Sequence, residues 1–159
     1  MKAGSFVLEF LVYLVISFIV LSGAITFMVQ VVMVNKKLEH TILATAAVHN
    51  VISLLRQDAA RMPCQRQAYT QLTEHDFSCT VTSTTEVIRW YVDDNSLKRA
   101  SRVDGAWDYS VVLEPINQCL FTYKVDATYV RAITVNLSHN GASCTHTLWL
   151  RSFHANPNQ

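Results

Sequence analysis

Residues 10–34 read FLVYLVISFIVLSGAITFMVQVVMV, a run of 25 residues without Asp, Glu, Lys, Arg or His. A helix needs about 20 predominantly apolar residues to cross the hydrocarbon core of a membrane. The run is also longer than the roughly 7–15 apolar residues of a cleaved secretory signal, and no small-residue cleavage site follows it. This stretch therefore predicts a helix that spans a membrane once and stays attached to the rest of the chain.

Charge is distributed unevenly along the 159 residues. The charged fraction is 16%, whereas about a quarter is usual for a soluble domain. The deficit lies in the span, because residues 35–159 carry 12 basic and 11 acidic side chains. This distribution excludes a plain cytosolic enzyme, a disordered chain and a strongly basic nucleic-acid-binding protein, since a nearly neutral domain has no bulk attraction for phosphate.

A helical period continues beyond the span. Mostly apolar residues recur at intervals of three and four: Leu38, Ile42, Thr45, Val48, Ile52, Leu55, Ala59 and Met62. Pro63 ends the pattern, because proline has no amide hydrogen to donate within a helix. We expect one helix over residues 5–62, with residues 5–34 in the membrane and 35–62 amphipathic, and with a bend near residues 35–37 left open.

The period changes to two within residues 63–154. Short runs rich in β-branched and aromatic residues predict strands at 80–83, 86–92, 96–102, 107–113, 119–125, 130–138 and 143–150. Turn-forming residues separate several of them, at 93–95, 104–105, 114–115 and 139–141. A long helix followed by consecutive strands predicts an α+β fold in which the helix packs on an antiparallel β-sheet, with residues 155–159 as a flexible tail.

Aromatic residues in these strands are interpreted as sheet core: Trp90, Tyr91, Trp107, Tyr109 and Phe121. The six histidines show no metal-ligand or catalytic spacing, and only four glycines occur in the chain. We therefore expect no catalytic residue, no metal and no cofactor, and hence no enzyme.

A distinctive motif precedes the span, where Lys2 is followed by GSFVLE at residues 4–9. It resembles the processing site of type IV pilins and type II secretion pseudopilins. In that family a short basic leader ends in Gly, prepilin peptidase cuts after it, and the fifth mature residue is Glu. The resemblance implies a leader of residues 1–4 and cleavage between Gly4 and Ser5. Phe usually stands first in the mature chain, whereas Phe6 is second here, which leaves methylation of Ser5 open.

The resemblance also implies a structural role in a filament. Glu9 would meet the amino terminus of a neighbouring subunit, and Glu9 and Phe6 would belong to the assembly segment. The partners would be other minor and major pilin-like subunits, prepilin peptidase and the bacterial inner membrane, with the carboxy-terminal domain in the periplasm or outside the cell. No nucleic acid is expected, although DNA stays open for a subunit of an uptake pilus.

Two other stretches are similar to the J-type minor pseudopilin of type II secretion. Residues 54–58, LLRQD, resemble an Arg-x-Asp helix segment, and residues 87–99 resemble a strand, an acidic turn and a Leu-x-Arg strand. Thr26 stands where many major pilins carry Pro, which favours a minor subunit. A minor subunit of a type IV pilus is the close rival. The alternative from another class is an uncleaved, single-pass binding or sensor domain of the cell envelope.

All four cysteines follow the span: Cys64, Cys79, Cys119 and Cys144. An even number in an exported domain predicts two disulfides, with three possible pairings. We expect Cys64–Cys79, which flank the segment after the helix, and Cys119–Cys144, which join late strands. Free thiols are the alternative, whereas zinc is not expected because no Cys-x₂₋₄-Cys pair occurs.

Overall fold

The computed structural model describes residues 3–81 and 85–150, with side chains from residue 6 onward. The chain divides into two compact units, Met1–His40 and Thr41–Gln159. Helix α1, Ala3–Ala59, begins in the first unit and ends in the second, and residues 35–37 are helical like their neighbours. The predicted long helix is therefore confirmed, although it ends three residues before Met62.

Over the described residues, eight strands follow α1 and a short 3₁₀ turn at Arg66–Ala68. They are β1 (Tyr69–Leu72), β2 (Asp76–Thr80), β3 (Val87–Asp93), β4 (Ser96–Val103), β5 (Ala106–Leu113), β6 (Gln118–Val125), β7 (Val130–His139) and β8 (Ala142–Trp149). All pairings are antiparallel, which confirms the α+β fold.

The strands form two sheets rather than the single sheet that we expected. One has the order β1-β2-β3-β4-β5 and the other β6-β7-β8. The division falls at Pro115, which has no N–H with which to continue a ladder. The next two amides bond elsewhere, Ile116 N–H to the carbonyl of Asn95 (2.7 Å) and Asn117 N–H to that of Ser138 (2.9 Å). These bonds direct the chain from the first sheet to the second.

Six of the seven predicted strands are confirmed, as β3 to β8. The strand predicted at residues 80–83 is wrong, because Thr80 ends β2 and Val81 lies outside any strand, while residues 82–83 lie outside the described residues. Strands β1 and β2 were not predicted. Their sequences are short and mostly polar, and the alternation of Phe77 and Cys79 with polar neighbours is the one signal of β2.

Three hairpins have two-residue turns in which both central residues have positive φ, as a type I′ turn requires. The turns are Asp94 (47°) with Asn95 (58°), Asp104 (53°) with Gly105 (88°), and Asn140 (46°) with Gly141 (83°). All three lie in segments predicted as turns. Asn, Asp and Gly tolerate the left-handed region, so these turns are encoded locally.

The amphipathic half of α1 packs on the sheets over a shorter length than predicted. Burial begins at Ala44, and the predicted stripe is confirmed from Val48 onward. Leu38, Ile42 and Thr45 are exposed, so the predicted boundary of the amphipathic half at residue 35 does not coincide with the start of packing. Propensity and spacing predict the helical face, but the size of the β domain determines how much of that face is covered.

The core lies among the last turns of α1 and the inner faces of both sheets. Leu55, Trp90 and Phe121 are fully buried within one apolar cluster. Phe77 of β2 meets Phe121 of β6 edge to face, with ring centroids 5.0 Å apart, which joins the two sheets. Tyr91, Trp107 and Tyr109 are not core residues, because Tyr91 is half-buried and the other two are exposed.

Candidate functional site

The first candidate region is the amino-terminal end of α1. Gly4 and Ser5 lie within the helix, whereas residues 1–2, the first half of the expected leader, lie outside the described residues. Phe6 is 74% exposed, and Glu9 is exposed on the same side, three residues further along. Within the described part of the chain, no cation pairs with Glu9.

The first unit carries no charged side chain and few polar ones between residues 10 and 34. Every described side chain from residue 6 to residue 40, the end of this unit, is exposed. Two of its hydroxyls bond back to the helix, since Ser22 Oγ and Thr26 Oγ1 donate to the carbonyl oxygens of Ile19 and Ser22, each at 2.9 Å. Among the described residues, α1 is the one helix that is long enough and apolar enough to cross a membrane, which fits a single-pass anchor.

The second candidate region is a buried ionic cluster at the carboxyl end of α1. Asp58 accepts two hydrogen bonds from the guanidinium of Arg99, Nε to Oδ2 at 2.7 Å and Nη2 to Oδ1 at 3.0 Å. Its Oδ2 also accepts a bond from the indole Nε1 of Trp90 at 2.8 Å. Trp90 and Arg99 are cross-strand neighbours on β3 and β4, so α1 is attached to two strands through one carboxylate.

The charged side chains of this cluster are largely shielded from water, which strengthens the attraction between them. The side chains of Asp58 and Arg99 are only 2% and 18% exposed. The hydrogen bonds to Asp58 raise the pKa of Arg99 above its ordinary value. One turn further on, Arg61 pairs with the buried Glu86 just before β3. A bidentate arginine–carboxylate pair fixes orientation as well as distance, so the cluster sets how α1 lies on the sheet.

The cluster brings together the two stretches that resemble the J-type subunit. Asp58 belongs to residues 54–58, and Trp90 and Arg99 belong to residues 87–99. A contact between the two stretches was not predicted from the sequence, and Trp90 was interpreted as apolar core alone. The available signal was an Asp on the apolar stripe of the helix, which requires a buried partner.

Arg56 contacts the other sheet. Its Nε donates to Nε2 of His146 on β8 at 3.0 Å. An accepting Nε2 carries no proton, so His146 is neutral in this arrangement. Partial burial and the positive charge of Arg56 both lower the pKa of His146 below its ordinary value.

This pair predicts that stability decreases in mild acid. The folded state binds the proton of His146 less tightly than the unfolded state, so the contribution is complete above the ordinary pKa of 6.5 and decreases as the pH falls below it. We expect His146→Gln to flatten the dependence of unfolding free energy on pH between about pH 7 and 5. Denaturant titrations at several pH values measure this, with exposed His49→Gln as the control. An unchanged slope in His146→Gln would contradict the assignment.

All four cysteines are free thiols in the structure. Cys119 and Cys144 both pair with Leu137 of the central strand β7, from opposite sides. Their Cα atoms are thus two strand spacings, about 9.5 Å, apart, whereas a disulfide needs less than about 7 Å. The expected Cys119–Cys144 bond is therefore wrong, while Cys64–Cys79 stays a prediction. Burial raises the pKa of both Cys79 and Cys119 to about 12.

Among residues 3–81 and 85–150, no three His, Cys, Asp or Glu side chains lie close enough together to hold a metal ion. A comparison of the chain with models of known protein families found no match, and a comparison with curated proteins also found none. A functional proposal must therefore rest on the helix, the ionic cluster and the amino-terminal motif.

Proposed function

We propose that this chain is a minor pilin or pseudopilin, a structural subunit of a type II secretion pseudopilus or a type IV pilus. The observation that carries the proposal is the continuity of α1, which runs from the motif at residues 4–9 through an exposed apolar segment and into the β domain. Such a helix can pack in a bundle of similar helices while it remains attached to the β domain.

The mechanism begins with a single-pass subunit in the inner membrane, with the β domain on the far side from the cytoplasm. Prepilin peptidase removes residues 1–4, which creates a new amino terminus at Ser5. The helices then associate through van der Waals packing of their side chains. Lipid already solvates apolar side chains, so there is no hydrophobic driving force for helix association. Glu9 pairs with the amino terminus of a neighbour, since a carboxylate near hydrocarbon is stabilised by a positive partner.

The buried cluster supports the same proposal. Asp58 holds the carboxyl end of α1 on β3 and β4 through Arg99 and Trp90, so the β domain keeps a fixed orientation on that end of the helix. A flexible tether is sufficient for the rival, an uncleaved binding or sensor domain.

Intact mass spectrometry of the protein purified from its native membrane tests the proposal. We expect the measured mass to be lower than that of the full chain by the mass of residues 1–4, with or without a methyl group on Ser5. In cells without prepilin peptidase, we expect all four residues to be retained. Gly4→Leu should block the cut, because a side chain before the scissile bond obstructs entry into the peptidase, whereas Ala3→Leu is the matched control. A full-length chain in cells with active peptidase would leave the tethered-domain alternative standing.

A further inference from the structure

The turn between β7 and β8 contains the one Asn–Gly pair of the chain, Asn140-Gly141. Both residues are exposed, and a Cβ atom added to Gly141 would meet no atom of a more distant residue within 4 Å. The backbone nitrogen after an asparagine can attack the amide carbon of that side chain when nothing crowds its approach, and glycine has no side chain to obstruct it. The turn therefore leaves space for a ring to close between the two residues.

The side chain of Asn140 lies next to a histidine. Its Nδ2 donates a hydrogen bond to Nε2 of His139 at 3.2 Å. Nδ1 of the same imidazole donates to the carbonyl oxygen of Pro115 at 2.5 Å, and His139 is only 7% exposed. The hydrogen bond at Nδ1 fixes the orientation of the ring, so that Nε2 faces the nitrogen of the asparagine amide.

Contacts outside the turn also hold the backbone of Asn140. Its N–H donates to Oδ1 of Asn117 at 2.8 Å. Asn117 in turn donates its own backbone N–H to the carbonyl oxygen of Ser138 at 2.9 Å. Asn117 and Pro115 both belong to the connection between β5 and β6, so this connection positions the asparagine and the imidazole relative to each other.

We propose that Asn140 is a site of spontaneous deamidation and that His139 is the acid that assists it. The backbone nitrogen of Gly141 forms a bond to Cγ of Asn140 and loses its proton to water. The bond from Cγ to Nδ2 breaks, and Nδ2 leaves as ammonia after it takes a proton from Nε2 of protonated His139. The imidazole regains a proton from solvent. Water then opens the succinimide ring, which leaves aspartate or isoaspartate at position 140.

The hydrogen-bonding roles of the two nitrogens change during the reaction in the direction that proton transfer requires. In the intact amide, Nδ2 of Asn140 is a donor and Nε2 of His139 accepts from it. Once the ring has closed, Nδ2 is an amine with a lone pair, which can accept a proton from an imidazolium. Histidine is the side chain that most often carries out such transfers.

Deamidation would change the structure around the turn. A carboxylate at position 140 has no N–H to donate, so Nε2 of His139 would lose its present partner. Isoaspartate adds one carbon to the backbone of the two-residue turn, which would displace the pairing of His139 with Ala142. We therefore expect the end of this hairpin to loosen in the modified chain. The inference does not depend on the proposed function, because it uses no residue of α1.

The turn Asp104-Gly105 offers a matched control within the same molecule. Both of its residues have positive φ, like Asn140 and Gly141, and a Cβ atom added to Gly105 would also meet no more distant atom within 4 Å. The residue before it is Val103 rather than a histidine. Asp104→Asn therefore provides a second Asn–Gly turn of the same type without a preceding imidazole.

Incubation of the full Asp104→Asn chain in detergent at neutral pH, followed by peptide mapping with mass spectrometry, measures both turns in one sample. We expect deamidation at Asn140 to be roughly tenfold faster than at position 104, which is less than a positioned acid contributes in an enzyme. His139→Gln should lower the rate at Asn140 to that at position 104, because glutamine can accept the hydrogen bond from the amide but cannot transfer a proton. Asn140→Asp supplies the reference peptide for the product.

Three results would overturn the inference. One is the absence of deamidation at Asn140, and another is an equal rate at the two turns. The third is an unchanged rate at Asn140 in His139→Gln, with circular dichroism to verify that this variant is folded. The comparison between the turns leaves His139 in place, so it decides the question even if His139→Gln does not fold.

Discussion

Replacing Asp58 by alanine should lower the free energy of unfolding by about 3–5 kcal/mol, because breaking a buried ion pair leaves one charge without compensation. Arg99 would keep a guanidinium that is 18% exposed, and the indole N–H of Trp90 would lose its acceptor. A small domain has about 5–15 kcal/mol of stability in total. The substitution therefore removes a large part of the stability of the β domain.

Urea titration of the full chain in detergent measures this loss through the fluorescence of buried Trp90, with the exposed Trp107 and Trp149 replaced by Phe in every variant compared. Asp93→Ala is the matched control, because Asp93 also pairs with a cation, Lys98, but its side chain is 51% exposed. Exposed pairs contribute about 0–1 kcal/mol. Equal losses of stability in the two variants would show that Asp58 does not hold α1 on the sheet more strongly than an exposed ion pair would.

A double variant tests whether the lost stability comes from the unpaired charge of Arg99. Arg99→Leu in the Asp58→Ala background removes the orphaned guanidinium, so we expect it to recover part of the lost stability. A further loss instead of a recovery would mean that Arg99 contributes mainly through packing of its aliphatic stem.

Replacing Glu9 by alanine should abolish assembly while leaving the subunit folded, inserted and cleaved. Glu9 is exposed, and the described residues hold no cation against it, so the isolated subunit loses no interaction. In the assembled state its partner would be a neighbour's amino terminus. A charge left alone in a membrane helix costs about 2.5–3.5 kcal/mol, which corresponds to roughly a hundredfold in an association constant.

Filament formation or secretion in a strain that carries only the Glu9→Ala variant measures the effect, with mass spectrometry to verify cleavage. Glu9→Gln keeps the shape without the charge and should fail equally. Ser17→Ala, also exposed within the span, is the control and should assemble normally. Normal assembly by both Glu9 variants would remove this residue from the mechanism.

Local features of this protein follow directly from its sequence. The run at residues 10–34 specifies a helix that suits a membrane, because 25 residues without a charged side chain are long and apolar enough to cross the hydrocarbon core as a helix. The turns at Asp94-Asn95, Asp104-Gly105 and Asn140-Gly141 are likewise encoded by residues that tolerate positive φ. Six strands between or beside these turns were predicted for the same reason, since alternation and turn chemistry act over a few residues.

Contacts between distant residues were decided by the tertiary structure. Asp58 and Arg99 are 41 residues apart, and nothing in their local sequences states that they meet. The separation of Cys119 from Cys144 depends on β7 lying between them, and the exposure of Trp107 and Tyr109 depends on β5 being an end strand. Spacing along a chain determines which face a side chain takes. Only the packing of the elements determines what that face meets.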